Sequence, residues 1–185
     1  MRLFHFSENP AIEVFAPREL ANPKPRPPGR EWLNGPLVWA IEERFQFLYF
    51  FPRNCPRIVI WAEPQTKELE RQKWLGDRKA AAYVEHDWMA AMRTTTIYRY
   101  HLPIDGFTDL QDAGMWVAES TIIPRSCEPV SNLEAALEAM HVELRPVDRL
   151  TFLRALWDTG LHVSGIRLSK AKGWDEVDPD GRTDP

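Results

Sequence analysis

Cysteine is scarce in this chain, with two in 185 residues, Cys55 and Cys127, 72 positions apart. Neither sits in a CxxC pair or a Cys/His zinc spacing, which excludes a disulfide framework and a zinc module and suits two thiols in a reducing cytosol. Basic excess is also missing: 23 Lys+Arg face 27 Asp+Glu, for a net charge of −4. A broad electrostatic grip on nucleic acid needs a clearly basic face, so nucleic acid is disfavoured as a partner. No run approaches the 18 or so apolar residues of a membrane span, and the opening MRLFHFSENP reaches Glu8 and Pro10 before any apolar stretch of signal-peptide length. The expectation is a cytoplasmic protein with no membrane partner. The five histidines show no HxH, HxxxH or HExxH spacing, so no metal site is expected.

Core-forming residues are plentiful, at 44% hydrophobic with 8 Trp and 9 Phe. A chain of this length buries roughly 70% of its unfolded surface without staples. Ten of the 16 prolines fall in residues 1–64, and Asn22–Gly29 (NPKPRPPG) has too few N–H donors for a helix or a central strand, so it reads as an extended loop. Residues 1–60 carry 8 basic and 6 acidic groups, which places any basic pocket in the N-terminal third. The stretch Gly173–Pro185 is polar and acidic. The organisation expected is one α+β domain over residues 1–171 and an acidic flexible tail over 172–185.

Seven short runs rich in β-branched or aromatic residues predict strands: Leu3–Ser7, Leu37–Ile41, Arg57–Ala62, Ala81–Glu85, Thr96–Leu102, Met115–Ala118 and Val163–Leu168. Val142–Arg145 is a weaker eighth. Ser131 and Glu134 form a capping box ahead of an apolar face at Leu133, Ala136, Leu137 and Met140. A second helix is predicted from Asp148, with Leu150, Leu153 and Trp157 on one side and Gly160 as a left-handed C-cap. Thr66–Leu75 reads as a charged surface helix and Asp87–Met92 as one more short one. Strands mingle with helices without βαβ alternation, so the fold class is α+β, with mixed or mainly antiparallel sheets of about seven strands and three or four helices.

Alternation in Leu3–Ser7 puts Phe4 and Phe6 on one face, as core, and His5 and Ser7 on the other, where an imidazole and a hydroxyl could meet a sugar or phosphate. In LYFFPRNCPR, Arg53 and Arg57 are held four apart by Pro52, Asn54 and Pro56, an arrangement suited to an anion clamp or to a solvated surface turn. Cys55 between them reads as buried and inert, since no histidine adjoins it. Glu119 closes the strand-like run MWVAES, where a carboxylate could act as a base or accept from ribose hydroxyls. Arg167 follows Gly165, which permits a close approach by a ligand or another backbone.

The runs FHFSENPAIEVFAPR, VWAIEERFQFLYFFPRNCPR, TIYRYHLP, WVAESTIIP and SGIRL together resemble an uncharacterised bacterial family known only as a domain of unknown function, over the chain up to about Ala171. A further likeness rests on three short motifs: an initial strand with His and a small polar residue, an aromatic second segment, and a late strand with Glu. These resemble the His–Tyr–Glu layout of ADP-ribosyltransferase-like proteins, including RNA 2′-phosphotransferases. That resemblance implies an ADP-ribosyltransferase-like fold and NAD or ADP-ribose as a nucleotide ligand. NAD would be a substrate, with no other cofactor. His5 would contact the nicotinamide ribose, Tyr49 would stack on nicotinamide, and Glu119 would orient the ribose as nicotinamide leaves. Ser7, Arg53, Arg57 and Arg167 would complete ligand binding. The competing expectation is a non-enzymatic binding or interaction protein in which these residues are structural. A phosphate-ester hydrolase or cyclase using His5 and Arg53 ranks third.

Overall fold

The β-branched and aromatic runs form ten strands in two sheets in the computed structural model, which describes residues 1–19 and 25–175. In chain order these are β1 (Leu3–Ser7), β2 (Val38–Glu42), β3 (Arg57–Ala62), β4 (Ala80–Glu85), β5 (Ile97–Leu102), β6 (Thr108–Asp109), β7 (Met115–Ala118), β8 (Ser126–Val130), β9 (Val142–Val147) and β10 (Leu161–Ile166). Three α-helices are described, α1 (Glu68–Trp74), α2 (Met89–Thr94) and α3 (Leu133–Glu138), together with five 3-10 segments. The fold is α+β. No described helix is long and apolar enough to cross a membrane.

The chain divides into two compact units, each assembled from two separate stretches. The first unit joins Met1–Tyr49 to Thr96–Val130 and holds an antiparallel sheet in the order β6-β7-β2-β1-β5-β8. One face carries Leu3, Val38, Ala40, Tyr100 and Leu102, packed with Phe15 and Ile122 from the loops. Burying each of these larger side chains contributes about 1.5–3 kcal/mol. The Tyr100 hydroxyl donates to the Asn9 carbonyl (2.6 Å) and accepts from Ile12 N–H (3.0 Å), tying the loop after β1 onto the sheet.

The other face carries Phe4, and opposite it across β5 a charged group. His101 Nε2–H donates to Glu128 (2.6 Å), Arg99 donates to the same carboxylate (2.9 Å), and Arg99 also donates to the buried Gln46 amide oxygen (2.6 Å). The His101 hydrogen bond, with the Arg99 guanidinium beside it, holds the Glu128 carboxyl below its usual range. A carboxyl with a lowered folded-state pKa stabilises the fold above the ordinary glutamate value, and that contribution is lost as pH falls through the lowered one. The melting-temperature gap between wild type and Glu128→Gln is therefore expected at pH 7 and to close progressively below about pH 4.3. An equal gap at pH 7 and in acid would refute this account.

The second unit joins Phe50–Thr95 to the chain from Ser131 onward, and its sheet runs β10-β3-β4-β9. Among the described strands, only β4 and β9 pair in parallel. Its core includes Ile58, Ile60, Leu150, Leu153, Leu156 and Trp174. Helix α1 has no buried residue and leaves Leu69 85% exposed, as its charged sequence predicts.

Several elements differ from expectation. β6 has only two residues, and β8 contains Pro129, which is compatible with an edge strand that pairs on one side only, here with β5. Helix α3 is capped not by the Ser131/Glu134 box but by Asn132. This residue adopts a left-handed conformation (φ 51°) and accepts from Ala135 N–H at 3.2 Å. Asparagine tolerates that conformation better than most residues. Glu134 instead pairs with Arg93 at 2.8 Å. The helix predicted from Asp148 is a 3-10 segment, Thr151–Asp158, followed by Thr159 in extended conformation. Gly160 is no left-handed cap. Its N–H donates to Glu70 and its carbonyl accepts from Thr66, and an added Cβ would lie 2.8 Å from the Glu70 carboxylate oxygen.

At the start of the expected tail, Lys172 N–H donates to the buried Glu85 carboxylate (2.8 Å), and Trp174 is packed in the core with the Arg154 guanidinium over its ring. Residues 176–185, and residues 22–24 of the proline-rich loop, lie outside the described residues.

Candidate functional site

Two hollows in the first unit contain three of the residues singled out from sequence. Strands β1 and β2 pair only through Leu3↔Glu42 and Phe4↔Ile41. Beyond that point His5 Nδ1–H donates to the Trp39 carbonyl at 2.9 Å, so a side chain replaces the ladder. A cavity of about 50 Å³ lies here, lined by His5, Phe4, Phe6, Trp39, Tyr49 and Met115 among others. That volume holds a few water molecules, whereas ligand pockets usually start near ~300 Å³. Tyr49 lies parallel to Phe6, with centroids 6.0 Å apart, and its hydroxyl donates to Met115 Sδ. One face of the ring expected to stack on nicotinamide thus already meets Phe6. Ser7 Oγ accepts from Asn9 N–H (3.1 Å), capping the turn after β1.

Glu119 lines a different and much larger hollow. Immediately after β7, Glu119 and Ser120 border a cleft of about 390 Å³ together with Trp32, Gly106, Thr108 and Val117. Trp32 belongs to the 3-10 segment Glu31–Asn34, which is anchored by buried Leu33 and by the Gly35 N–H donating to the Trp32 carbonyl. The indole is left 45% exposed. Gly106 turns the preceding loop at φ +86°. Thr108 enters through its pairing with Val117. Thr108, Glu119 and Ser120 are exposed, and among the described residues their side chains make no hydrogen bond or ion pair within the protein; no described lining residue is basic. The arrangement offers one aromatic face, one carboxylate acceptor and two hydroxyls to a ligand.

The three arginines belong to the second unit. Arg57, at the head of β3, is 4% exposed, donates to the Cys55 carbonyl (3.1 Å) and lies over the Phe51 ring, so it is built into the packing. Arg53 is exposed on the turn closed by Cys55 N–H donating to the Pro52 carbonyl. Arg167 is exposed in a left-handed conformation (φ 59°), one residue beyond Ile166, which pairs with Arg57. The three therefore share one end of the four-stranded sheet. Burial pushes the Cys55 thiol up to about 12, whereas Cys127 is exposed. A thiol reagent at pH 8 is expected to label Cys127 alone in the folded protein and Cys55 only after unfolding. Two thiols reacting at once in native buffer would contradict this.

Among the described residues, no group of three or more His, Cys, Asp or Glu could hold a metal ion. Sequence reasoning missed Trp32 and Thr108. The available signal was a tryptophan in REWLNG, between Pro-Pro-Gly and Gly-Pro, where turn residues leave a large ring little opportunity for burial.

A family model described as a family of unknown function (DUF6886) matches residues 4–171. The chain belongs to this family. The match runs from Phe4 in β1 to Ala171, so it covers most of both units of this DUF6886 chain and every residue lining the two hollows. No curated protein and no solved structure matches the chain.

Proposed function

We propose that this DUF6886 protein is a ligand-binding protein whose site is the cleft beside Glu119. The observation carrying this reading is the set of unpartnered polar side chains, Thr108, Glu119 and Ser120, around a cleft of about 390 Å³ with a half-exposed Trp32 at its side. Leaving a large aromatic face in water forgoes burial energy that ligand contact recovers. A cleft of this volume falls within the range of small-molecule sites.

The second reading is transfer of ADP-ribose from NAD on an ADP-ribosyltransferase-like fold. In its favour, His5 and Tyr49 line one cavity. Against it, that cavity has room for only a few waters, and the Glu119 carboxylate, which would gain value as positive charge develops on the ribose, borders the other hollow.

Thermal-shift titration separates the two, because a ligand that binds only the native state raises its apparent stability by mass action. NAD and ADP-ribose are expected to leave the melting temperature unchanged. Within a panel of small polar metabolites, a stabilising compound is expected to lose its effect in Glu119→Gln. An NAD-specific shift that His5→Ala abolishes and Glu119→Gln does not would replace the binding reading with the nucleotide one.

A further inference from the structure

We infer that the ligand of the Glu119 cleft is a neutral sugar of one or two rings. This inference rests on the binding reading above and adds the chemistry of the ligand.

The first argument is electrostatic. Among the described residues no lysine or arginine lines the cleft, and Glu119 brings a carboxylate into it. Asp105 and Asp109, both exposed, flank Gly106 and Thr108 in the adjoining chain. Phosphates, nucleotides and carboxylic acids would meet like charge with no fork of donors to receive them.

The second argument concerns hydrogen-bonding type. A carboxylate accepts from two adjacent hydroxyls at once, and the Thr108 and Ser120 hydroxyls can each donate or accept. A ligand matching that set carries several hydroxyls on neighbouring carbons.

The third argument is the aromatic wall. Quaternary ammonium ligands are typically enclosed by a cage of several aromatic rings, whereas Trp32 supplies a single lining ring. A single exposed indole suits the flat, C–H-bearing face of a pyranose or furanose, which is apolar, while the hydroxyls at the ring edge reach the polar side. A cleft of about 390 Å³ lies near the lower end of small-molecule pocket volumes, which limits the ligand to one or two rings. The glycine at position 106 keeps the wall facing Ser120 free of a side chain, since a Cβ there would stand 3.8 Å from the serine Oγ.

The test is saturation-transfer NMR on the full chain with D-glucose, D-galactose, D-ribose and N-acetyl-D-glucosamine, each at roughly 10 mM, enough to populate a millimolar site. Glucose 6-phosphate and choline serve as charged comparators. At least one neutral sugar is expected to show transfer to its ring C–H protons. That transfer should vanish in Trp32→Ala, weaken at least tenfold in affinity in Glu119→Gln, and be at least tenfold weaker for the phosphorylated sugar. Glu119 is exposed and Trp32 is half exposed, so both variants should keep the wild-type circular dichroism, which is measured alongside together with the melting temperature.

Binding of choline alone, lost in Glu119→Gln, would overturn the sugar and leave the cleft standing as a binding site. Sugar binding that neither substitution affects would overturn its placement here. No binding of any probe would overturn the sugar inference, and the metabolite panel with Glu119→Gln then decides the cleft separately.

Discussion

Gly114→Ala is expected to destabilise the fold by about 3 kcal/mol or more, lowering the melting temperature by on the order of 10 °C. Gly114 adopts φ +68°, a conformation L-residues rarely take, and an added Cβ would stand 2.4 Å from Phe45 Cδ2 and 3.2 Å from Glu42 Cβ. The backbone cannot retreat freely, because the Gly114 carbonyl accepts from Glu42 N–H at 2.8 Å. Two effects therefore add. The left-handed backbone alone costs a side-chain-bearing residue about 1–2 kcal/mol, and overpacking against a ring typically costs about 1–3 kcal/mol. Gly114→Val should be worse still and fail to accumulate as folded protein. Chemical denaturation of Gly114→Ala checks the value, and a midpoint matching wild type would show that the turn relaxes without penalty. Gly76→Ala makes a useful comparison, since its φ is +60° but nothing lies within 4 Å of the added Cβ. It should show the backbone penalty alone.

The second large effect is expected at Phe4, where Phe4→Ala should cost about 3–5 kcal/mol. This ring is fully buried, meets His101 edge-on at 4.9 Å and lies under the Arg99 guanidinium at 5.0 Å. Removing it leaves a void beside a charged network, where lost dispersion and lost cation–π attraction act together. Phe6, half-buried on the same strand face, should cost clearly less when truncated. Equal losses at the two positions, measured by urea denaturation, would show that burial is not the deciding quantity.

Much of the architecture was legible because strand periodicity is a short-range signal. In LFHFS, alternation separates Phe4 and Phe6 from His5, but the expectation that His5 faces away from the core failed, because His5 shares its face with buried Leu3 and lies 4.6 Å from the Phe15 ring; in RIVIWA an apolar run marks a strand buried on both faces. What escaped has identifiable causes. A two-residue strand such as β6 has no periodicity to detect, and proline in SCEPV argues against a strand unless its edge position is known. Leu150, Leu153 and Leu156 are spaced by three, which a 3-10 turn satisfies better than an α-helix, yet Leu150, Leu153 and Trp157 fit an α-helical face equally well. The local sequence could not choose between them.

The candidate site was legible only in part, for a different reason. Glu119 could be singled out as a carboxylate at a strand end, but Trp32 reaches the same cleft from a segment far earlier in the chain. Nothing local to either residue records that meeting. His5 and Tyr49 do share a cavity, and no spacing rule connects Tyr49, Trp39 or Met115, which line it, to a histidine on β1.

Each unit is woven from two stretches of chain, with one lying between the halves of the other. In the first unit, β1 is flanked in its sheet by β2 and β5, and in the second, β4 cannot meet its parallel neighbour β9 until the chain has left and returned. During synthesis, one edge of the earliest strand, β1, must therefore wait for β5, made much later than its other neighbour β2. Closing such long loops before any pairing rewards them slows folding. Neither unit can be excised as one continuous fragment, and a chain interrupted before Val130 would display the unpaired edge of β1 or β5 to whatever strands were nearby.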